Sequence, residues 1–161
     1  MSKVEEIIKE MAGEGGSEID PTDFDNLDLA DVEIKSFSPE DKAYLEKFTN
    51  VDNLIMLGCE LSSLENFPEL TNIKRLELSE NAIKGSDLAH LKKLTGLVCL
   101  NIAANKIERL DDLKALKDLP ELINIDLTEN KVSEIEDFDK KVRELLPKLE
   151  IVNRIDAEGN E

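Results

Sequence analysis

The chain has 161 residues and a mass of 18.1 kDa, room for one domain with a sizeable core rather than two, and 37 Asp and Glu against 20 Lys and Arg give it a net charge of −17. That field repels a phosphate backbone, so direct nucleic-acid binding is disfavoured, and no apolar run approaches the roughly 18 residues that a membrane span needs. Aromatic residues are only 4% of the chain and Trp is absent, so the core has to be built from Leu, Ile and Val.

From the N-terminus, "MSKVEEIIKEM" lacks the basic start and continuous apolar stretch of a signal peptide, and two cysteines are too few for a disulfide framework. A soluble intracellular protein, nuclear or cytoplasmic, is expected. Val4, Ile7, Ile8 and Met11 fall on one face of a helix, which predicts a capping helix followed by a flexible Gly-rich break, "AGEGGS", within residues 1–20. In "LDLADVEI" Leu27, Leu29, Val32 and Ile34 have offsets of two, three and two. Next, "SPEDKAYLEKF" carries Ser38 as N-cap, Pro39 at the first helical position and Asp41 three residues after the serine, an acidic variant of the capping box.

The same offsets recur at Leu54, Met56, Cys59 and Leu61, at Leu76, Leu78, Asn81 and Ile83, at Leu100, Ile102, Asn105 and Ile107, and at Ile125, Leu127, Asn130 and Val132. Successive copies are 27, 22, 24 and 25 residues apart, inside the range of about 20 to 29 that marks a leucine-rich repeat. The fold class expected is therefore α/β, a solenoid of about five repeats. A parallel sheet forms its concave face, helical or 3₁₀ segments its convex side, and helices cap both ends. The period of two in Leu-x-Leu sends both leucines inward. The asparagine sits where the chain leaves the strand and can bond backbone groups of stacked bends. Val32 and Cys59 cannot do this fully, so the first two turns should be less regular.

Leu88, Leu91, Leu94 and Leu97, then Leu113, Leu116, Leu119 and Leu122, have the three-residue spacing of short convex helices. In "DFDKKVRELLPKLEIV" Phe138, Val142, Leu145 and Leu146 share a helical face, with Leu149 and Val152 on a last partial strand. The domain is read as residues 21–135 repeats, 136–155 C-terminal cap and 156–161 tail.

Chemistry-bearing residues are few. His90 stands alone on a convex segment, Cys59 reads as a packed small residue, and Cys99 points out on the concave side with no basic activator near it in sequence. The acidic pairs Asp111 and Asp112, and Glu136 and Asp137, read as solvated charges near helix starts. No Gly-rich phosphate loop or alternating calcium-ligand spacing occurs. No enzyme, cofactor or metal is expected. What remains is the outward row of the strands, which a solenoid fuses into one surface: Asn26, Asp28, Asn53, Ile55, Arg75, Glu77, Ser79, Cys99, Asn101, Ala103, Asn124, Asp126 and Thr128. Ile55 beside Leu57 adds an apolar spot. This row is the expected partner-binding face, and reversing Glu77 and Asp126 to Lys should weaken capture while leaving the fold intact.

From about Val51 to Val152, "FPELTNIKRLELSENAI" and "LINIDLTENKVSEIEDFDKKVRELLPKLEIV" resemble the leucine-rich domain of the acidic leucine-rich nuclear phosphoprotein family, with its helix and Leu-Leu-Pro-x-Leu cap. The family's long Asp/Glu-only tail does not follow Glu161 here, its usual Leu-Asp pair is Val152 and Asn153, and "AGEGGSEID" reads as an extra N-terminal segment. The resemblance implies a monomeric, non-enzymatic interaction module whose protein partner is basic, as a histone is, or is a phosphatase. The alternatives are a ribonucleoprotein assembly subunit like the spliceosomal U2 A-prime protein, or a generic leucine-rich repeat adaptor.

Overall fold

In the computed structural model residues 1–13 and 19–161 are described. The Gly-rich break expected after the first helix lies mostly at residues 14–18, outside the described residues. Six parallel strands stack in chain order: β1 (Asn26–Asp28), β2 (Asn53–Ile55), β3 (Arg75–Glu77), β4 (Cys99–Asn101), β5 (Asn124–Asp126) and β6 (Ile151–Val152). A seventh, β7 (Ile155–Asp156), pairs antiparallel with β6. The register aligns Leu27, Leu54, Leu76, Leu100, Ile125 and Val152 in one buried row, as the offset pattern predicts.

Behind the strands the leucines spaced by three build 3₁₀ segments, Gly85–Leu91 and Leu110–Asp118, and bury Leu88, Leu91, Leu94, Leu97, Leu113, Leu116, Leu119 and Leu122. A short helix α2 (Pro39–Leu45) takes this place in the first turn. The few aromatic rings are concentrated there. Phe24, Phe37, Tyr44, Phe48 and Phe67 make three edge-on pairs with centroids 5.5 to 5.6 Å apart, so the aliphatic interior expected throughout begins only in the third turn.

The asparagines do what their position requires. Asn105 Nδ2 donates to the Leu78, Ile102 and Ala103 carbonyls at 2.9 to 3.1 Å, and its Oδ1 accepts from Ile83 N at 3.0 Å. Asn81 and Asn130 repeat this set one turn before and one turn after. Cys59 supplies the donor half only, Sγ to Leu29 O at 3.0 Å, while the Ile34 N–H turns to the Cys59 main-chain carbonyl instead. Burial pushes its thiol up to about 11, which keeps it a neutral donor. Immediately before the Asn position each turn places one residue at positive φ: Asp31, Gly58, Glu80, Ala104 and Glu129.

Helix α1 (Lys3–Met11) packs on α2 with Val4 and Ile8 buried and Ile7 half-buried, but Met11 is 56% exposed and is not part of the buried face. The join is polar as well as apolar. Asp41, the capping-box residue of α2, accepts from Ser38 N through Oδ2 and from Val4 N through Oδ1, both at 2.9 Å. Asp87 does the same two turns on, accepting from Lys84 N and Leu64 N. Asp112 is not simply solvated either: it pairs with Arg109 and packs so closely on Gly85 that a Cβ there would collide with its carboxylate.

At the far end α3 (Phe138–Leu145) buries Phe138 and Val142, with Leu146 and Leu149 following and Leu145 only half-buried. β7 joins the end of the expected cap to the expected tail: Ile155 closes the cap and Asp156 is the first residue of the stretch read as a tail. Asn153 and Arg154, at φ 50° and 69°, form the two-residue turn between β6 and β7, and the backbone of a type I′ turn needs both. Asn153 Oδ1 accepts from Leu127 N at 2.7 Å, so an acceptor is kept where the resembling family has Asp.

Candidate functional site

The strands carry their outward residues in two columns. The column before the buried leucine is Asn26, Asn53, Arg75, Cys99, Asn124 and Ile151; the column after it is Asp28, Ile55, Glu77, Asn101 and Asp126. All of the expected binding residues therefore lie on or beside one continuous concave sheet. Their accessibility differs. Asn26, Asp28 and Arg75 are exposed, and Asn53, Ile55, Glu77, Cys99, Asn101, Asn124 and Thr128 are half-buried, but Ser79, Ala103 and Asp126 are buried.

The second column has a structural task that periodicity does not reveal. Asp28, Glu77, Asn101 and Asp126 each accept from the backbone N–H two residues on, that of Ala30, Ser79, Ala103 and Thr128, at 2.8 to 3.0 Å. Ile55 has no acceptor to offer at the equivalent place, and with half-buried Leu57 it forms the apolar spot of the face. Glu77 uses its second oxygen on Asn101 Nδ2 at 2.7 Å, and Asp126 uses its own on Arg154 Nε at 2.9 Å. Desolvation works to raise the Asp126 carboxyl, yet hydrogen bonds from Thr128 and Arg154 hold it below the usual carboxylate range. Reversing Glu77 and Asp126 to Lys is thus not a pure surface change: besides altering the charge of the face, it removes acceptors that bond the strand ends.

At the C-terminal half of the face the sheet holds a depression of about 380 Å³ lined by Cys99, Asn101, Asn124, Asp126, Ile151 and Arg154. Arg154, which strand periodicity did not include, reaches it from the β6–β7 turn. On the convex side a second hollow of similar size is lined mainly by Leu116, Leu119, Leu122, Leu145, Leu146 and Leu149. His90 is exposed on the convex side. Among the described residues no group of three or more His, Cys, Asp or Glu could hold a metal ion, and no helix is long and apolar enough to cross a membrane.

Exposed acids recur at the strand ends. Asp31, Glu80 and Glu129, the positive-φ residues, are exposed along that margin, joined by Glu33 and Glu60, whose ion pairs with Lys35 are 2.6 and 3.7 Å.

A stacked parallel sheet with an asparagine ladder and 3₁₀ backs defines the leucine-rich repeat class, and residues 42–156 match that family, so the chain belongs to it. Among its relatives the resemblance to the acidic nuclear phosphoproteins is borne out: acidic leucine-rich nuclear phosphoprotein 32 family member A of Drosophila melanogaster is 33% identical over 116 residues, 72% of this chain and 44% of that protein. A histone of Tetrahymena thermophila is 30% identical over 133 residues, 83% of this chain and 34% of that protein. The chain spans between a third and a half of the length of these relatives. Two solved structures share the fold. A chain of the Drosophila melanogaster SNF/U2A′ complex superposes with a TM-score of 0.69 at 24% identity, covering 82% of this chain and 74% of that one. An internalin (inlF) of Listeria monocytogenes gives 0.55 at 16%, covering 82% and 48%.

Proposed function

We propose that this chain is a non-enzymatic protein-interaction module of the nucleus, which offers the concave face of its sheet to a partner and draws in a basic protein, a histone above all, with its acidic margin. The observation that carries this reading is the margin itself. Asp31, Glu80 and Glu129 recur at one position of the repeat, all exposed and all at the rim of the concave face. A net charge of −17 raises the encounter rate with a cation, and the rim decides where the encounter happens. The names of the relatives, nuclear phosphoproteins and a histone, support the compartment and the class of partner. A phosphatase as partner is the lesser version of the same reading.

The test is capture of purified core histones by the full chain over a salt series. Binding should weaken steeply as the Debye length shrinks from about 8 Å at physiological ionic strength to about 3 Å at 1 M. The triple substitution of Asp31, Glu80 and Glu129 to Lys should weaken it further with an unchanged melting temperature, because these side chains accept no hydrogen bond among the described residues. Salt-independent capture, or capture by the triple variant equal to that of the parent chain, overturns the proposal.

A further inference from the structure

On the concave face, acids and bases differ in what they leave free. The oxygens of Glu77 are engaged by Ser79 N and Asn101 Nδ2, and those of Asp126 by Thr128 N, Thr128 Oγ1 and Arg154 Nε. The guanidinium groups are the reverse. The Arg75 side chain has no hydrogen-bond or ion-pair partner among the described residues, and neither has that of Asn124. Arg154 is anchored through Nε alone, and its side chain is 76% exposed where that of Asp126 is 9%. One nitrogen is fixed by a buried carboxylate, and the two terminal nitrogens remain open over the depression. Such a fork is pre-organised for a carboxylate, since less freedom is lost when it pairs.

Position completes the arrangement. Arg75 stands on β3, next in register to Cys99 on β4 and one further strand from Asn124 on β5. The Arg154 guanidinium sits against Asp126, the β5 residue after the buried Ile125. Arg75 and Asp126, the residue that anchors Arg154, stand on strands two places apart, roughly 10 Å at about 4.8 Å per strand, with Cys99, Asn101 and Asn124 on the strands between and beside them. We propose, resting on the concave face as the docking surface, that its C-terminal half is an acid-reading cleft: it binds an extended acidic segment of a partner protein, two of whose carboxylates engage Arg75 and Arg154 while the free Asn124 amide bonds the backbone between them. At about 3.3 Å per residue, carboxylates four residues apart lie roughly 13 Å from each other and on the same face of an extended segment, a separation that the two exposed arginine side chains can meet. The molecule thus divides its electrostatics, with an acidic rim for a basic body and a donor-rich floor for an acidic segment.

The experiment titrates the isotopically labelled full chain with acetyl-Glu-Ala-Ser-Ala-Glu-amide at physiological ionic strength, where the field of the net charge of −17 is screened beyond about 8 Å, alongside the same peptide with both Glu replaced by Gln and with both replaced by Lys. The Glu peptide should shift the Asn124 side-chain amide and the backbone signals of Cys99 and Asn101, and should bind roughly tenfold tighter than the Gln peptide, as charge-assisted pairs are stronger than neutral ones. Arg75→Gln should abolish that preference without changing the melting temperature, since Arg75 has no internal partner. Arg154→Gln should abolish it as well. Gln or Lys peptides that move the same signals as strongly would overturn the acid reading and leave the concave face as docking surface. A Glu peptide that moves only signals away from the strands would overturn both.

Discussion

Asn105 and Cys59 occupy equivalent places in the repeat and meet very different demands. The amide engages four backbone groups across two turns, whereas the thiol reaches the Leu29 carbonyl and, at 3.6 Å, that of Leu57. Each buried group left without a partner costs about 1–3 kcal/mol, so Asn105→Ala should lower stability by several kcal/mol and Cys59→Ala by much less. Urea midpoints of the two variants check this, and equal losses would mean that the ladder does not depend on the amide. The asparagine's role was legible because its spacing from Leu-x-Leu never varies. The task of Glu77 and Asp126 was not, because an outward-facing position says nothing of whether a side chain bends back to its own backbone. Arg154 was invisible for a related reason: its turn needs two residues at positive φ, and Asn-Arg is a weak signal for that where Asn-Gly would be a strong one.

Among the elements, α1 is tied to its neighbour α2 by a carboxylate as well as by its buried apolar face. Its apolar face could be read from Val4, Ile7 and Ile8, but the partner of its Val4 N–H could not, since the capping box at Ser38 and Asp41 looks complete in itself. Burial alone would raise the Asp41 carboxyl; hydrogen bonds from Val4 N and Ser38 N outweigh it and hold the group below the usual range. A lowered folded value makes the contribution of Asp41 fully present above the ordinary carboxyl value of about 3.9, and it is lost as pH falls through the folded one. Asp41→Asn should therefore cost about 1–3 kcal/mol near neutrality. It should also flatten the decline in stability below about pH 4. Melting curves of both proteins over that range decide it. A parallel decline would show that other carboxylates dominate the acid limb.

For the molecule as a whole, each turn is stable only through its neighbours, and the central ones couple the two ends. Leu100 is 1% exposed in the middle of the buried row, so Leu100→Ala should cost about 2–5 kcal/mol. It should shift the denaturant midpoint of the entire chain in one transition; an unchanged midpoint would remove Leu100 from the core. The overall architecture was readable from the offsets because a solenoid repeats its instructions in every turn. The two ends were less readable, since each is built once.

The antiparallel β7 has a bearing on how such an array can be lengthened. Every earlier strand offers the next turn a parallel edge in the same register, whereas β7 offers an edge that runs the wrong way and spans two residues. Another repeat fused behind it would find no matching seat, and a second molecule meets the same mismatch, which guards against end-to-end sheet growth. An engineer wishing to insert an extra unit must place it ahead of β6, leaving the reversed hairpin to remain the terminator.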